Sequence, residues 1–153
     1  MREQILAALK EIEAELSVSI LFACESGSRA WGFASQDSDY DVRFVYAHGR
    51  DWYLTIDEKR DVIERQLPGD LDVSGWELRK ALRLFRKSNP PMLEWLRSPI
   101  VYRQDPEFLA KMKGVPWEPA IATANEWGFS PHRCYRHYIS MARGMCGTTL
   151  TAI

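Results

Sequence analysis

Two stretches of strand character, residues 17–24 and 39–46, constrain the fold of this chain more than any other feature. Residues 17–24 are nearly all apolar and have the length of a strand, which predicts a strand buried within a sheet. Residues 39–46 alternate in character, so Asp39 and Asp41 are predicted to share one face of a second strand. Residues 25–27 turn the chain between the two. The predicted sheet therefore carries two carboxylates on one face of its second strand.

The two aspartates and the turn before them have the spacing of a phosphate-handling site. Two carboxylates one residue apart on a strand have Cα atoms roughly 6.5–7 Å apart, so both side chains can converge on a pair of divalent cations. Gly27 and Ser28 open a short helix predicted over residues 28–33, where backbone N–H groups and a hydroxyl can hold a phosphate. Together these features indicate phosphoryl or nucleotidyl transfer.

Simpler roles are open to the same residues. In the segment SQDSDYD, Asp39 and Asp41 can cap backbone N–H groups of a turn, and Asp37 is assigned to that role. Ser28 can be the N-cap of the short helix, which is compatible with phosphate binding at the same helix end. The spacing between the Gly-Ser turn and the carboxylates favours the metal-binding interpretation of Asp39 and Asp41.

A third strand and a basic helix follow. Residues 70–73 are predicted to form a strand that carries Asp72, although an isolated aspartate on a short strand is more often a turn or surface residue. The sequence Ser74-Gly75-Trp76-Glu77 fits a capping box, which predicts a helix over residues 75–88 that ends before Asn89-Pro90-Pro91. The apolar arc of this helix holds Leu78, Ala81, Leu82, Leu84 and Phe85, and the basic arc holds Arg79, Lys80, Arg83, Arg86 and Lys87.

The basic arc has two interpretations. A stripe of charges on a helix is usually a solvated surface. Because this helix follows the strand that carries Asp72, its first basic residues are alternatively predicted to lie near the carboxylates. Lys80 and Arg83 would then meet a triphosphate or a nucleic-acid backbone.

The remaining predicted elements complete a small mixed α/β domain. Four tryptophan and phenylalanine side chains, those of Trp31, Phe33, Trp76 and Trp95, are predicted to pack in its core. The other predicted elements are helices over residues 2–16, 92–97, 105–112 and 131–145, a strand near residues 52–56 inside a polar excursion over residues 47–69, and an extended segment over residues 100–103.

The motifs together resemble a known superfamily. The run GSRAWGFASQDSDYDVRF is similar to the DNA polymerase beta-type nucleotidyltransferases, whose pattern is Gly-Ser, a spacer, then Asp-x-Asp. More narrowly, this run with LDVSGWELRK (residues 71–80) and KSNPPMLEWLRSP (residues 87–99) resembles predicted nucleotidyltransferases linked to RNA repair. The resemblance implies an α/β (α+β) nucleotidyltransferase fold with a small mixed sheet backed by helices. It further implies a catalytic domain over residues 1–103 and a helical, shortened extension over residues 104–153.

The resemblance also implies roles for individual residues. Asp39, Asp41 and Asp72 would be the catalytic carboxylates and the ligands of Mg²⁺ or Mn²⁺, with Asp72 as the third acid. Gly27 and Ser28 would hold the phosphates of an NTP substrate, and the positions of Arg29 and Lys80 suit the same nucleotide. Arg29 is expected either to reach a phosphate or brace the carboxylates, or to form an ordinary surface ion pair.

The acceptor implied by the resemblance is an RNA end. A protein acceptor, such as a toxin, is the alternative within the same chemistry, and a non-catalytic nucleotide- or RNA-binding module is the alternative outside it. The net charge of −1 means that nucleic acid would have to bind at a local patch. Three cysteines without a framework spacing, and the absence of a secretory or long apolar segment, predict a soluble cytoplasmic protein with no membrane contact.

Overall fold

One mixed five-stranded sheet organises the computed structural model, which describes residues 1–32, 34–35 and 38–113. The strand order is β3-β4-β2-β1-β5, and β2 and β4 are parallel whereas the other neighbours are antiparallel. The predicted fold class, a small mixed sheet backed by helices, is confirmed. The elements are α1 (Arg2–Leu16), β1 (Val18–Glu25), β2 (Tyr40–His48), α2 (Arg50–Tyr53), β3 (Val62–Leu67), β4 (Leu71–Glu77), α3 (Leu78–Arg86), α4 (Pro90–Arg97), β5 (Val101–Gln104) and α5 (Pro106–Lys113).

Helices cover both faces of the sheet. Ile5, Leu9 and Ile12 recur at helical spacing along α1 and are buried against Val42 and Phe44 of β2. The opposite face of the sheet packs against α3, α4 and α5. The side chains of this second cluster include Phe22, Cys24, Val45, Ala81, Met92, Trp95 and Leu96.

The parallel pairing of β2 with β4 sets up the site. The two strands start side by side, with Tyr40 opposite Leu71 and Asp41 opposite Asp72. A hairpin turn before β4 positions that start, because Gly69 and Asp70 both adopt positive φ values, 83° and 55°. Residues 71–73 are therefore extended as predicted, whereas Asp70 belongs to the turn and the strand continues to Glu77.

The structure corrects three predicted elements. Residues 28–32 form turns rather than the start of a helix: the N–H groups of Ala30 and Trp31 donate to carbonyls three residues earlier. The strand predicted near residues 52–56 is replaced by α2 and by β3, which begins ten residues later than expected. The reason is local stacking, because Trp52 turns back onto His48 with ring centres 4.1 Å apart.

The third correction concerns the start of α3. Ser74 pairs with Arg43 on one side and Glu64 on the other, so the predicted capping box is strand. The helix begins at Leu78 instead, and the Glu77 carboxylate is its N-cap, accepting from the N–H groups of Arg79 and Lys80. The end of the helix agrees with the prediction, since α3 stops at Arg86 and Asn89 caps α4.

The predicted aromatic core is correct in part. Trp95 is buried and stacks on Trp76 with ring centres 3.9 Å apart, whereas Trp31 is 46% exposed. Phe33, Asp37 and the helix predicted over residues 131–145 lie outside the described residues. Among the described helices, none combines the length and apolar character needed to cross a membrane.

Candidate active site

Asp41 and Asp72 meet where β2 and β4 begin. They occupy the same register position on neighbouring parallel strands. A single guanidinium nitrogen, Nη2 of Arg43, lies 3.1 Å from Asp41 Oδ1 and 2.7 Å from Asp72 Oδ2. The two carboxylates are 32% and 36% exposed, so solvent reaches them. The sheet register thus assembles a partly open pair of acids that converge on one cation.

Arg43 lies two residues after Asp41 and therefore on the same face of β2. Its Nη1 also donates to the carbonyl oxygens of Val42 and Asp72, at 3.1 and 3.3 Å. The guanidinium is thereby held on both strands, and its charge offsets the repulsion that two adjacent carboxylates exert on each other. Arg43 falls within the strand predicted over residues 39–46, in which only the two aspartates were assigned roles.

The Gly-Ser turn is in direct contact with Asp41. A Cβ atom added at Gly27 would lie 1.9 Å from Asp41 Oδ2 and 2.9 Å from Asp41 Cβ, closer than atoms can approach. The N–H of Ser26 donates to the Asp41 carbonyl at 2.9 Å, which joins the turn to the start of β2. Any side chain at position 27 would therefore displace the Asp41 carboxylate, because the backbone passes against it.

The same turn presents N–H groups. Ala30 and Trp31 use theirs within the turn, whereas among the described residues no backbone carbonyl accepts from those of Gly27, Ser28 and Arg29. A run of unused N–H groups beside a carboxylate pair is the arrangement by which backbone binds phosphate oxygens next to a metal. The predicted phosphate-binding role of Gly27 and Ser28 has this local geometry and stays a prediction.

Arg29 braces backbone rather than carboxylates. Its Nη2 donates to the Ser38 carbonyl at 2.5 Å, and its Nε lies 3.2 and 3.3 Å from the carbonyl oxygens of Ser38 and Asp39. The guanidinium also covers the Tyr40 ring, with 3.9 Å between its carbon and the ring centre. Arg29 therefore fixes the segment that carries Asp39, whose own side chain is exposed one residue before β2.

A buried glutamate, which the sequence analysis assigned to the turn, lies behind Asp41. Glu25 is fully buried; its Oε1 accepts from the Asp41 N–H at 2.8 Å and its Oε2 from the Tyr102 hydroxyl at 2.6 Å. Burial, and then the hydrogen bond to Glu25, raise the pKa of Tyr102, so this hydroxyl remains a donor. One sequence signal could have indicated this burial. A single carboxylate at the end of an apolar run, once buried, requires a hydrogen-bond partner inside the protein.

Lys80 lies apart from the carboxylates. Its Nζ is 2.9 Å from Asp61 Oδ1, at the end of β4 where α3 begins. The five-residue step from Asp72 to Glu77 spans roughly 16 Å of strand. The prediction that the first basic residues of the helix start near the carboxylates is therefore wrong, because the helix starts three residues later than the capping box implied.

The residues present suit a divalent cation in part. Carboxylate oxygens are the ligands that Mg²⁺ prefers, and Asp41 and Asp72 already share one positive group. Within residues 1–32, 34–35 and 38–113, no three acidic, histidine or cysteine side chains stand together as a ready-made metal site. Asp39 would complete such a set from its exposed position beside them. The metal role of Asp39, Asp41 and Asp72 stays a prediction.

Comparison with known proteins places the chain in a family. The chain belongs to the RNA repair pathway DNA polymerase beta family, whose model matches residues 1–151. It is 50% identical over 143 residues to the uncharacterized protein YcgL of Bacillus subtilis (strain 168). That match covers 94% of this chain and 52% of the relative, so the chain spans about half the length of the curated relative it matches. No solved structure matches the chain.

Proposed function

We propose that the chain is a metal-dependent nucleotidyltransferase, which transfers a nucleoside monophosphate from an NTP to a hydroxyl acceptor. The observation that carries the proposal is the in-register pair Asp41 and Asp72, which converge on one cation beside a close-packed Gly27 turn. A carboxylate pair next to N–H groups that find no carbonyl partner among the described residues suits metal-assisted chemistry on a phosphate. Membership of a polymerase beta family supports the same reaction class.

The proposed cofactor is Mg²⁺ or Mn²⁺, held by Asp39, Asp41 and Asp72. When bound, such a cation supplies positive charge to the phosphate oxygens that gain negative charge in the reaction. Asp72 would in addition accept the proton of the acceptor hydroxyl. The acceptor oxygen then forms a bond to the α-phosphorus, the bond from that phosphorus to the bridging oxygen breaks, and pyrophosphate leaves with the bridging oxygen.

The nucleotide phosphates are proposed to bind at the turn. The N–H groups of Gly27 and Ser28 and the Ser28 hydroxyl would donate to the β- and γ-phosphates, a use of backbone donors that costs no side-chain ordering. Arg29 would contribute indirectly, by fixing the backbone that leads to Asp39. Lys80 has no place in this proposal, because its ammonium pairs with Asp61 at the far end of β4.

The proposed acceptor is an RNA end. This part of the proposal rests on the description of the family as an RNA repair pathway family rather than on a contact in the described residues. The chain carries no overall positive charge, so RNA would be held by a local surface. Half of the matched relative lies beyond the region of similarity, and acceptor contacts in that half would be outside this chain.

Pyrophosphate release tests the proposal. The wild-type chain would be incubated with Mg²⁺ or Mn²⁺, each of the four NTPs, and a short RNA with a free 3′-hydroxyl. We expect release with at least one NTP, a matching mass increase of the RNA, and neither product when the 3′-hydroxyl is blocked. Asp39→Asn/Asp41→Asn is the inactive control. If nucleotide were transferred to protein in a lysate instead of to RNA, the acceptor would be a protein. No pyrophosphate release with any combination of metal, NTP and acceptor would contradict the proposal.

A further inference from the structure

Two glutamates are fully buried among the described residues, and they lie at opposite ends of the sheet. Glu25 and Glu77 have exposed fractions of 0% and 1%. A carboxylate removed from water is costly unless hydrogen bonds satisfy its oxygens. Glu77 has an evident structural use, because its Oε2 caps the start of α3. Glu25 caps none of the helices within residues 1–113 that the structure describes, so its burial needs a different reason.

The partners of Glu25 point to that reason. Its Oε1 binds the backbone N–H of Asp41 and its Oε2 binds the hydroxyl of Tyr102, so both oxygens are used. The chain on either side of Glu25 is fixed as well: its N–H donates to the Ile100 carbonyl at 2.9 Å, and its carbonyl accepts from the Ser98 hydroxyl at 2.5 Å. The carboxylate is therefore a rigid link from β5 to the backbone of Asp41.

The hydrogen bond from Glu25 acts on Asp41, whose side chain is held in place by two further contacts. Asp41 must pair with Asp72 across the register, and its side chain must also fit against the Cα of Gly27. Its carbonyl is held by the Ser26 N–H and its own N–H by Glu25, so both polar groups of the Asp41 backbone are tied to residues of one short segment. A shift of this backbone by a fraction of an ångström would move the carboxylate out of line with Asp72.

We propose that Glu25 is a positioning residue, which holds the Asp41 carboxylate in metal-binding geometry through the Asp41 backbone, with Tyr102 orienting Glu25. This inference rests on the proposed function, because it gives Asp41 the role of a metal ligand. Glu25 itself touches neither metal nor substrate, being fully buried. Residues that orient metal ligands typically change metal affinity by about 10–100-fold when they are removed.

If Glu25 had a purely structural role, its substitution would give a different experimental result. Loss of a buried hydrogen-bonding group at either end of the sheet lowers stability. Only loss of a positioning group would also weaken metal binding in protein that remains folded. Glu77 provides the matched control, because it is equally buried, has the same chemistry, and lies at the opposite end of β4 from Asp72.

The test measures Mn²⁺ affinity by titration calorimetry in four folded variants. Glu25→Met removes the acceptor at similar volume, and we expect Mn²⁺ to bind about 10–100-fold more weakly. Glu25→Gln keeps an oxygen that can accept from the Asp41 N–H, and we expect affinity within about threefold of wild type. Tyr102→Phe leaves Glu25 with one partner and should weaken binding by an intermediate factor. Glu77→Met should lose stability without a change in Mn²⁺ affinity.

The outcomes separate this inference from the proposed function. If Asp41→Asn weakens Mn²⁺ binding but Glu25→Met and Tyr102→Phe do not, the positioning role is wrong and the metal site stands. An equal loss in Glu77→Met would also overturn it, because any buried carboxylate would then suffice. If the series behaves as expected but the wild type releases no pyrophosphate, the nucleotidyltransferase proposal fails while the positioning role is supported. Should Glu25→Met not fold, Tyr102→Phe still decides the question, because weaker Mn²⁺ binding is expected there only if Glu25 positions Asp41.

Discussion

The two ends of the sheet use acidic side chains in opposite ways. At the aspartate end, where β2 and β4 begin, Asp41 and Asp72 share a single cation, Arg43. At the helix end, where β4 passes into α3, Asp61 has two cations near it: Lys80 Nζ at 2.9 Å and Arg83 Nη2 at 3.8 Å. Among the described residues, two carboxylates thus share one cation at the aspartate end, whereas one carboxylate has two cations at the helix end. The aspartate end therefore has the capacity to take up another cation.

The buried glutamates show the same contrast. Glu77 stabilises a secondary-structure boundary, since its Oε2 accepts from the N–H groups that begin α3. Glu25 caps none of the described helices and instead fixes the backbone of Asp41, a partly exposed acid. Burial of a carboxylate at the helix end stabilises the fold, whereas burial of Glu25 at the aspartate end is consistent with the proposed role of Asp41 as a metal ligand.

The largest effect should come from removing one acid at each end. Asp72→Asn keeps the shape and removes the charge, and a group that accepts a proton in the transition state contributes about 10²–10⁴-fold to turnover. We therefore expect pyrophosphate release to fall by at least that factor while NTP affinity changes little. Asp61→Asn loses its pair with Lys80 and should leave turnover unchanged. Pyrophosphate release is measured for both variants side by side. Equal losses of turnover would mean that the two ends of the sheet do not differ in function.

Much of the aspartate end could be predicted from local pattern. The strands that carry Asp41 and Asp72 follow from alternation and from the turn residues around Gly69, and these patterns depend on residues close in sequence. The pairing of Asp41 with Asp72 could not be derived in this way. It depends on β4 lying parallel to β2 after the β3 hairpin, and that arrangement is decided by packing between distant segments.

The errors also have physical causes. Ser74-x-x-Glu77 has the composition of a capping box, yet Ser74 pairs with strands on both sides, so sheet pairing overrides the helix signal. Because of this error, Lys80 was predicted to lie near the aspartate end of the sheet, whereas it lies at the helix end. Glu25 was assigned to a turn because a charged residue after an apolar run usually marks a strand end. Its partner Tyr102 is 77 residues away in sequence, and no local pattern reports such a contact.

A smaller effect should follow from adding one methyl group. Gly27→Ala forces a Cβ to within 1.9 Å of Asp41 Oδ2, and overpacking of this kind typically costs about 1–3 kcal/mol. We expect a lower unfolding free energy in denaturant and weaker Mn²⁺ binding, because Asp41 must move. Gly49→Ala is the control: its Cβ meets open space, and the cost should stay below about 1 kcal/mol as alanine is a poorer helix N-cap than glycine. Wild-type stability and Mn²⁺ affinity in Gly27→Ala would contradict the close contact.

The smallest effect on stability, and the sharpest contrast between the ends, is expected from removing one cation at each. Arg43→Met breaks ion pairs whose members are 20–36% exposed, and Lys80→Met breaks one whose members are 29% and 35% exposed. Such pairs contribute about 1 kcal/mol or less, so both variants should unfold at slightly lower temperature without metal.

Arg43 would compete with a metal for Asp41 and Asp72, so Arg43→Met should bind Mn²⁺ more tightly and regain more stability from it than Lys80→Met does. Melting curves with and without Mn²⁺ measure both effects. Weaker Mn²⁺ binding in Arg43→Met would instead mean that the guanidinium organises the two carboxylates for a metal rather than standing in its place.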